Sequence, residues 1–330
     1  MQIKIYNSIE RITEINALVT KGYVKGYRMP FRCLDNLYSL KLGATTYFVG
    51  HEYSGKTEFV LERDIWLSKQ FGLVHCIFTP ETGRSEEIYL ELCHKWTGRY
   101  WYGKTAMTDK ERLQALKELS PYFHIIESEG EISMDEIFKA MDDHEVRTHI
   151  KFNTLTIDPF NELKWDLGGL PRDMWLEATL GKVRRRARDK NIHITIVTHP
   201  IESDRLYDQK EGYWLPPTRK QYAGGQAWPR KGESMAAIWR PPYSDTDPTK
   251  YRDEDGIPYE HNEMHFIMQK SKPKGTGSIG LGVLYFDREQ SRYYELYGAD
   301  KLYAGEFYQK YEAPKQSLNE NQKHEQGTIF

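Results

Sequence analysis

Short apolar runs alternate with stretches of helical periodicity through the first two-thirds of this 330-residue chain. Five runs of apolar and β-branched residues predict strands at 44–49, 73–78, 122–127, 153–158 and 192–198. The stretches between them predict helices at 58–71 (amphipathic), 85–96, 108–119, 133–144 and 172–189. Strands that alternate with helices at this spacing indicate βαβ units, and therefore an α/β fold with a mainly parallel central sheet flanked by helices.

The pattern changes after residue 200. Residues 201–225 and 241–261 lack periodicity and predict two surface loops. Consecutive runs then predict C-terminal antiparallel strands at 234–239, 263–270, 278–286 and 292–296. Apolar content falls afterwards, so we expect a core domain at 33–298 and a polar, flexible tail at 299–330, most clearly at 316–326.

The N-terminal extension, residues 1–32, contains one predicted amphipathic helix at 6–20. Its apolar positions recur near helical spacing, at Ile9, Ile12, Ile15 and Leu18. Such an apolar stripe has to pack against other apolar residues. We expect the core of the same chain to supply them, with a neighbouring subunit as the alternative.

Composition and charge exclude several classes of protein. The net charge is −2, so nucleic acid would have to bind to local basic patches rather than to an overall positive field. The three cysteines, Cys33, Cys76 and Cys93, are widely separated, which suits a reducing compartment and argues against a structural zinc site. No apolar run is long enough to span a bilayer or resembles a signal peptide. We therefore expect a soluble cytoplasmic protein with no membrane contact.

The first strong motif lies between the strand at 44–49 and the helix at 58–71. It is a complete G-x-x-x-x-G-K-[ST] match, formed by Gly50, His51, Glu52, Tyr53, Ser54, Gly55, Lys56 and Thr57. Backbone N–H groups of such a loop cradle phosphates, while the lysine reaches the β- and γ-phosphates and the Thr hydroxyl binds Mg²⁺. The motif predicts binding of a nucleoside triphosphate with Mg²⁺.

Three further strands end in residues that suit this chemistry. Asp158 follows an apolar strand and is a candidate Mg²⁺ ligand beside Thr57. The next residue is Pro159 rather than a second acid, so the general base has to come from elsewhere, and Glu81 is the best placed candidate. His199 is a candidate sensor of the γ-phosphate. Ligands bind at the carboxyl edge of a parallel sheet, where all these residues are expected to meet.

Basic segments offer candidate contacts for nucleic acid or for another subunit. The cations at 182–190 favour a solvated face or a subunit contact. The loops at 164–172 and 205–220 are better candidates for single-stranded nucleic acid; the second interleaves cations with aromatic residues, at Arg205, Lys210, Arg219, Lys220, Tyr207, Tyr213, Trp214 and Tyr222. A late turn at 269–277 carries Lys270 and Lys272. It is either a charged hairpin tip or the source of a cation for a neighbour's phosphate.

Together these motifs resemble the RecA-like motor domain of DnaB-type hexameric replicative helicases and their phage and mitochondrial relatives, over about residues 30–297. The resemblance also rests on the glycine pair at 224–225. It implies an ATP-hydrolysing DNA helicase of DNA replication that forms a ring of six subunits on single-stranded DNA. Glu81 would activate water, His199 would sense the γ-phosphate, and Lys270 with Lys272 would reach the ATP site of the next subunit. A separate primase is a candidate partner, and the helix at 6–20 is the candidate for the family's linker helix, which clasps a neighbour.

The sequence departs from that family at the late turn, where the usual arginine finger is replaced by Lys272. Arg230, in the unusual segment before the strand at 234–239, is a candidate substitute. Two other functions remain open at this point: a RecA-type recombinase or recombination mediator, and a loader or regulatory ATPase in which the nucleotide controls assembly.

Overall fold

A computed structural model of the protein describes residues 4–23, 25–103, 106–201, 207–208, 212–222 and 225–312. The strands of this part of the chain are β1 (Tyr27–Arg28), β2 (Ser39–Leu40), β3 (Thr45–Val49), β4 (His75–Phe78), β5 (Phe123–Ile125), β6 (Thr154–Ile157), β7 (His193–Thr198), β8 (Tyr207–Asp208), β9 (Tyr213–Trp214), β10 (Ser234–Trp239), β11 (Glu263–Ser271), β12 (Gly280–Asp287), β13 (Arg292–Tyr297) and β14 (Asp300–Tyr303).

The α-helices are α1 (Ile12–Lys21), α2 (Lys56–Phe71), α3 (Ser85–Thr97), α4 (Asp109–Leu119), α5 (Met134–Thr148), α6 (Arg172–Lys190), α7 (Ala227–Lys231) and α8 (Glu306–Tyr311). Short 3-10 turns occur at Ile9–Arg11, Arg32–Leu34 and Phe160–Glu162. Among the described residues, no helix has both the length and the apolar character that a bilayer span requires.

Ten strands form one mixed sheet in the order β14-β13-β12-β11-β10-β3-β7-β6-β4-β5. The strands from β10 to β5 are parallel, and β11 to β14 continue the sheet antiparallel. The predicted α/β fold with a mainly parallel sheet and C-terminal antiparallel strands is therefore confirmed. The register aligns the carboxyl ends of the parallel strands, since Val49 pairs with Thr198 and Ile157 pairs with Phe78.

The N-terminal caps of α4 and α5 are those that the sequence predicts. Thr108 and Ser133 each accept a hydrogen bond from the backbone N–H three residues on, and Glu111 and Glu136 return the bond, so that both helices start with a capping box.

Helix α2 differs from the predicted amphipathic helix because it is buried on nearly all sides. Eleven of its 16 residues are buried, including Arg63 and Asp64. Strands β6 and β7 contact one side of the helix, while α3 and the distant strand β13 of the same sheet pack on the others. A hydrophobic stripe in the sequence is therefore a poor guide here, since polar residues of α2 are buried as well.

Helix α1 also departs from expectation. Within the described part of the chain, no residue of α1 is buried, and Ile12, Ile15 and Leu18 are 50%, 43% and 45% exposed. The expectation that the chain's own core covers this stripe is wrong. The alternative, a neighbouring subunit, remains.

The first part of the predicted flexible tail at 299–330 forms regular secondary structure. Residues 300–311 add β14 to the sheet edge and form α8, because Leu302 and Phe307 are buried against neighbouring elements. Residues 313–330, which include the polar segment 316–326, lie outside the described residues.

Cations of the basic segment at 182–190 form ion pairs within the chain. Arg184 and Arg188 both contact Glu233, and Arg186 and Lys190 both contact Asp142. This pairing supports a solvated structural face rather than a nucleic-acid surface.

Candidate functional site

The phosphate loop connects the buried strand β3 to the start of α2. Glycine is required at both ends of the loop. A Cβ on Gly50 would lie 2.4 Å from the Ser54 hydroxyl and 2.5 Å from the carbonyl oxygen of Ile238, while Gly55 has a φ of +87°. The hydroxyl of Tyr293 donates a hydrogen bond to the Gly55 carbonyl oxygen at 3.1 Å. Strand β13 thus braces the point where the loop enters the helix.

Lys56 and Thr57 begin α2 and face the carboxyl edge of the sheet. The Lys56 ammonium donates to the carbonyl oxygen of His51 at 2.7 Å, across the loop. The Thr57 hydroxyl donates to Asp158 Oδ2 at 2.6 Å. A hydroxyl and a carboxylate oxygen on adjacent elements form a donor set that suits Mg²⁺, which prefers hard oxygen ligands.

Asp158 lies at the end of β6 and is 4% exposed. Burial raises the pKa of its carboxyl above the usual value, although the Thr57 hydroxyl and the charge of Lys56 act in the opposite direction. Glu81 and His199 also lie close enough for their charges to affect this pKa. The ends of β4, β6 and β7 therefore meet beside the phosphate loop.

Glu81 and His199 contact each other. His199 Nε2 lies 3.3 Å from Glu81 Oε2, with the two side chains 20% and 55% exposed. Solvent therefore reaches the Glu81 carboxylate, as a water-activating group needs, while the imidazole fixes one side of it.

A cavity of about 250 Å³ opens beside the phosphate loop. Its wall combines loop residues 51–54 with aromatic and proline residues, namely Tyr213, Trp214, Trp239, Pro241 and Pro242, and with Arg240. Sequence reasoning missed Trp239 and Arg240. They follow the same logic as Asp158, because β10 is a parallel neighbour of β3 and ends at the same sheet edge. Because the strand at 234–239 is predicted from the sequence to be antiparallel, its end is not expected at this edge of the sheet.

The aromatic loop after β7 packs onto the phosphate loop. His51 Nε2 lies 3.0 Å from the carbonyl oxygen of Leu215, and its ring is 6.1 Å from that of Trp214. Trp239 donates its indole N–H to the carbonyl oxygen of Trp214 at 2.9 Å. A segment predicted for nucleic acid thus touches the candidate nucleotide site.

The other residues predicted to bind nucleic acid differ in their exposure. Arg219 and Lys220 are exposed, as a nucleic-acid contact requires. The prediction that Tyr222 stacks on bases is wrong, because Tyr222 is fully buried and its hydroxyl donates a hydrogen bond to the carbonyl oxygen of Tyr47 at 3.0 Å. Arg205 and Lys210 lie outside the described residues, as does Gly224 of the glycine pair that belongs to the family resemblance.

The loop at 164–172 holds Trp165 against α6, whereas Lys164 is exposed. Trp165 stacks on Trp175 with 4.7 Å between ring centroids, and the Arg172 guanidinium lies over the Trp165 ring.

Lys270 and Lys272 lie away from the phosphate loop of their own chain. Lys270 is level with Met235 of β10, which is level with Tyr47 of β3. Lys272 lies beyond the start of β10, roughly 15 Å along the strand direction from Gly50. Lys270 is partly buried, and this burial, followed by the neighbouring charge of Lys272, lowers the pKa of its ammonium. Lys272 and Arg230 are exposed.

Comparison with known proteins gives one curated relative and several structural neighbours. No family model matches the chain. The chain is similar to the chloroplastic/mitochondrial Twinkle homolog protein of Arabidopsis thaliana, with 25% identity over 285 residues, which are 83% of this chain and 37% of the relative. The chain thus spans little more than a third of that protein's length.

Many solved structures share the fold, and two of them illustrate it. The first, described as an ATPase domain, superposes with a TM-score of 0.68 at 16% identity, covering 89% of this chain and 100% of the other. A DnaB-like replicative helicase, described with its interactions with primase, superposes with a TM-score of 0.66 at 16% identity, covering 90% of this chain and 68% of the other. This chain has the RecA-like α/β fold of the ATPase domains of DnaB-like replicative helicases, as its sequence motifs predicted.

Proposed function

We propose that the protein is an ATP-dependent DNA helicase motor that translocates on single-stranded DNA in replication. The observation that carries the proposal is the meeting of Glu81, Asp158 and His199 beside a complete phosphate loop, each from a different strand. The similarity to a Twinkle homolog and to a DnaB-like replicative helicase supports this choice over a recombinase.

Each residue of the site has a distinct part in the proposed hydrolysis. The loop N–H groups and Lys56 bind the β- and γ-phosphates of ATP. Thr57 and Asp158 would hold Mg²⁺, which supplies positive charge to the phosphate oxygens. Glu81 orients and polarises the attacking water. His199, in contact with Glu81, passes the state of the γ-phosphate into the aromatic loop that follows β7.

The positions of Lys270, Lys272 and Arg230 support a site shared between subunits. In a ring with head-to-tail contacts, one edge of each subunit meets a different edge of the next. Lys272, with Lys270 and Arg230 as alternatives, would then reach the ATP bound to its neighbour. The exposed apolar stripe of α1 supports the same assembly, which we propose is a homo-hexamer.

The loops at 164–172 and 205–220 are the proposed contacts for single-stranded DNA. Exposed cations in the second loop suit the phosphate backbone, and exposed aromatic residues, Tyr207 and Trp214, suit base stacking. A primase is proposed as a separate partner, by analogy with the DnaB-like relative.

The deciding experiment measures ATP hydrolysis with and without single-stranded DNA, together with unwinding of a forked duplex. We expect DNA-stimulated hydrolysis and unwinding by the wild-type protein, and neither by Lys56→Ala. Strand exchange without unwinding would identify a recombinase instead. Hydrolysis that ignores DNA would identify a regulatory ATPase, and full hydrolysis by Lys56→Ala would refute the assigned site.

A further inference from the structure

A charged pair lies buried in the middle of α2, beneath the phosphate loop. The Arg63 Nε donates to Asp64 Oδ1 at 2.8 Å, and both side chains are completely buried. Arg63 follows Lys56 by two helical turns, and Asp64 follows Thr57 by the same interval. The pair therefore lies about 10 Å along the helix from the two loop residues, on the same faces.

The pair contacts the strands that end in the candidate site. Arg63 Nη1 donates to the Thr195 hydroxyl of β7 at 3.0 Å. The Thr156 hydroxyl of β6 lies 3.5 Å from Asp64 Oδ2. On β4, His75 Nδ1 lies 3.7 Å from Asp64 Oδ1.

The loop strand β3 joins the same network. The Arg63 guanidinium lies 6.0 Å from the ring centroid of Phe48. Tyr38, which interacts with Arg63, donates its hydroxyl to Thr46 of β3 at 3.1 Å. One buried pair on the phosphate-loop helix thus contacts each of the four strands whose ends carry the loop, Glu81, Asp158 and His199.

Because the pair is completely buried, it is expected to contribute little to the net stability of the fold. Removing two charges from water offsets much of their mutual attraction, and apolar residues of similar size often stabilise a core as well. The polar contacts with the strands, two of which are hydrogen bonds, have a different consequence: they fix the height of α2 relative to the sheet, which nonpolar packing constrains less sharply.

We propose that Arg63 and Asp64 are positioning residues that set the register of Lys56 and Thr57 against Glu81, Asp158 and His199. This rests on the proposed ATP hydrolysis and not on unwinding. Binding of ATP needs chiefly the loop, whereas hydrolysis needs the loop aligned with three separate strand ends. Loss of the pair should therefore lower kcat far more than it weakens nucleotide binding.

The test compares the wild-type protein with Arg63→Met/Asp64→Asn, which removes both charges together and leaves no unpaired ion. We expect kcat for ATP to fall by about tenfold or more. The Kd of a fluorescent ATP analogue and the KM should change by less than about threefold. The Tm should stay near that of the wild-type protein. Arg63→Lys, which keeps the charge, should recover part of the lost kcat.

Arg186→Met/Asp142→Asn is the matched control, because it removes an Arg–Asp pair that joins α5 to α6 rather than α2 to the sheet. Its kcat should remain near the wild-type value. If the first double variant fails to fold, Thr195→Val takes its place. It removes only the hydroxyl that accepts from Arg63, and a lower kcat at unchanged Kd is again expected.

Either of two kinetic results would overturn the proposal: a folded variant with wild-type kcat, or a fall in kcat that the control variant matches. Hydrogen exchange at residues 79–83 and 158–162 separates this proposal from the proposed function. If the wild-type protein hydrolyses no ATP, the function fails. Faster exchange at these strand ends in the double variant would still support positioning, and unchanged exchange would reject it.

Discussion

At the scale of single residues, the contact between Glu81 and His199 defines what the site is expected to do. Glu81→Gln keeps the size of the side chain but removes its ability to accept a proton from water. We expect nucleotide binding to persist, while kcat falls by about 10²- to 10⁴-fold, the usual contribution of a general base. Steady-state ATPase assays and titration with a fluorescent ATP analogue measure the two effects separately.

Glu86→Gln is the control for this substitution, because it removes an exposed acid from the first turn of α3 in the same segment. It should leave hydrolysis unchanged. Should Glu81→Gln hydrolyse ATP at the wild-type rate, the water-activating group would have to be sought elsewhere at this sheet edge.

The sequence predicts the position of these residues better than that of their neighbours. Glu81, Asp158 and His199 were found because each follows an apolar run, and parallel topology alone brings such residues together. Trp239 and Tyr293 were missed, because their place beside the loop depends on the pairing of β10 with β3 and on the packing of β13 over α2. Neither pairing leaves a local signal in the sequence.

At the scale of elements, the apolar face of α1 is expected to act between subunits. Leu18→Glu places a charge on that face. It should leave the Tm of the monomer nearly unchanged, since Leu18 is 45% exposed within its own chain. The assembly should weaken by about tenfold or more, as burial of a leucine is worth about 1.5–3 kcal/mol. Light scattering across a range of concentrations measures this effect.

Ala17→Glu is the control for α1, since Ala17 lies on the opposite side of the helix at 100° per residue. We expect it to assemble like the wild-type protein. Equal assembly of both variants would mean that the apolar stripe has no role between subunits.

The link between α5 and α6 predicts a specific dependence of stability on pH. Hydrogen bonds from Arg186 lower the pKa of Asp142 to about 2. An unfolded aspartate titrates near 3.9, so the link stabilises the fold fully above about pH 4 and loses its effect as the pH falls towards 2. Asp142→Asn should lower stability near pH 7 by no more than about 1 kcal/mol, because the carboxylate is partly exposed.

Thermal unfolding at several pH values checks this expectation. The difference between the wild-type protein and Asp142→Asn should shrink as the pH falls from about 4 to about 2. Asp143→Asn removes a more exposed partner of Lys139 and should show little difference at any pH. A difference for Asp142→Asn that does not change with pH would contradict the assigned ion pair.

Helices and strands are predictable from the sequence where a local pattern of residues causes them to form. Capping boxes and apolar runs located α2 to α6 and the parallel strands to within a few residues, whereas the helix predicted at 6–20 begins as α1 only at Ile12. The elements that were missed are β1, β2, α7, β14, α8 and the short hairpin of β8 and β9. The last three depend on tertiary contacts. They form where Leu302 and Phe307 find a buried surface, or where Trp214 packs on His51, and such surfaces exist only once the sheet has formed.

At the scale of the whole molecule, the sheet separates two halves of the proposed ATP site. The phosphate loop lies at the carboxyl edge of the parallel strands, and Lys272 lies beyond their opposite edge. One subunit therefore carries both halves of the site, but the two halves lie too far apart to contact the same ATP molecule. The sequence suggested this division only through the family resemblance, because distance between sheet edges follows from strand register rather than from motif order.

Mixing two inactive variants tests whether neighbouring subunits combine these halves. Lys56→Ala lacks the loop lysine and keeps Lys272, while Lys272→Ala keeps the loop and lacks the cation. In randomly mixed rings with head-to-tail contacts, about a quarter of the interfaces pair an intact loop with an intact Lys272. ATPase activity should therefore reappear on mixing, above the sum of the separate proteins. Mixing Lys56→Ala with the Lys56→Ala/Lys272→Ala double variant supplies no intact loop and should recover nothing. If mixing restores no activity although the variants assemble together, Lys272 is not the shared cation, and the same experiment with Arg230→Ala then tests the alternative from α7.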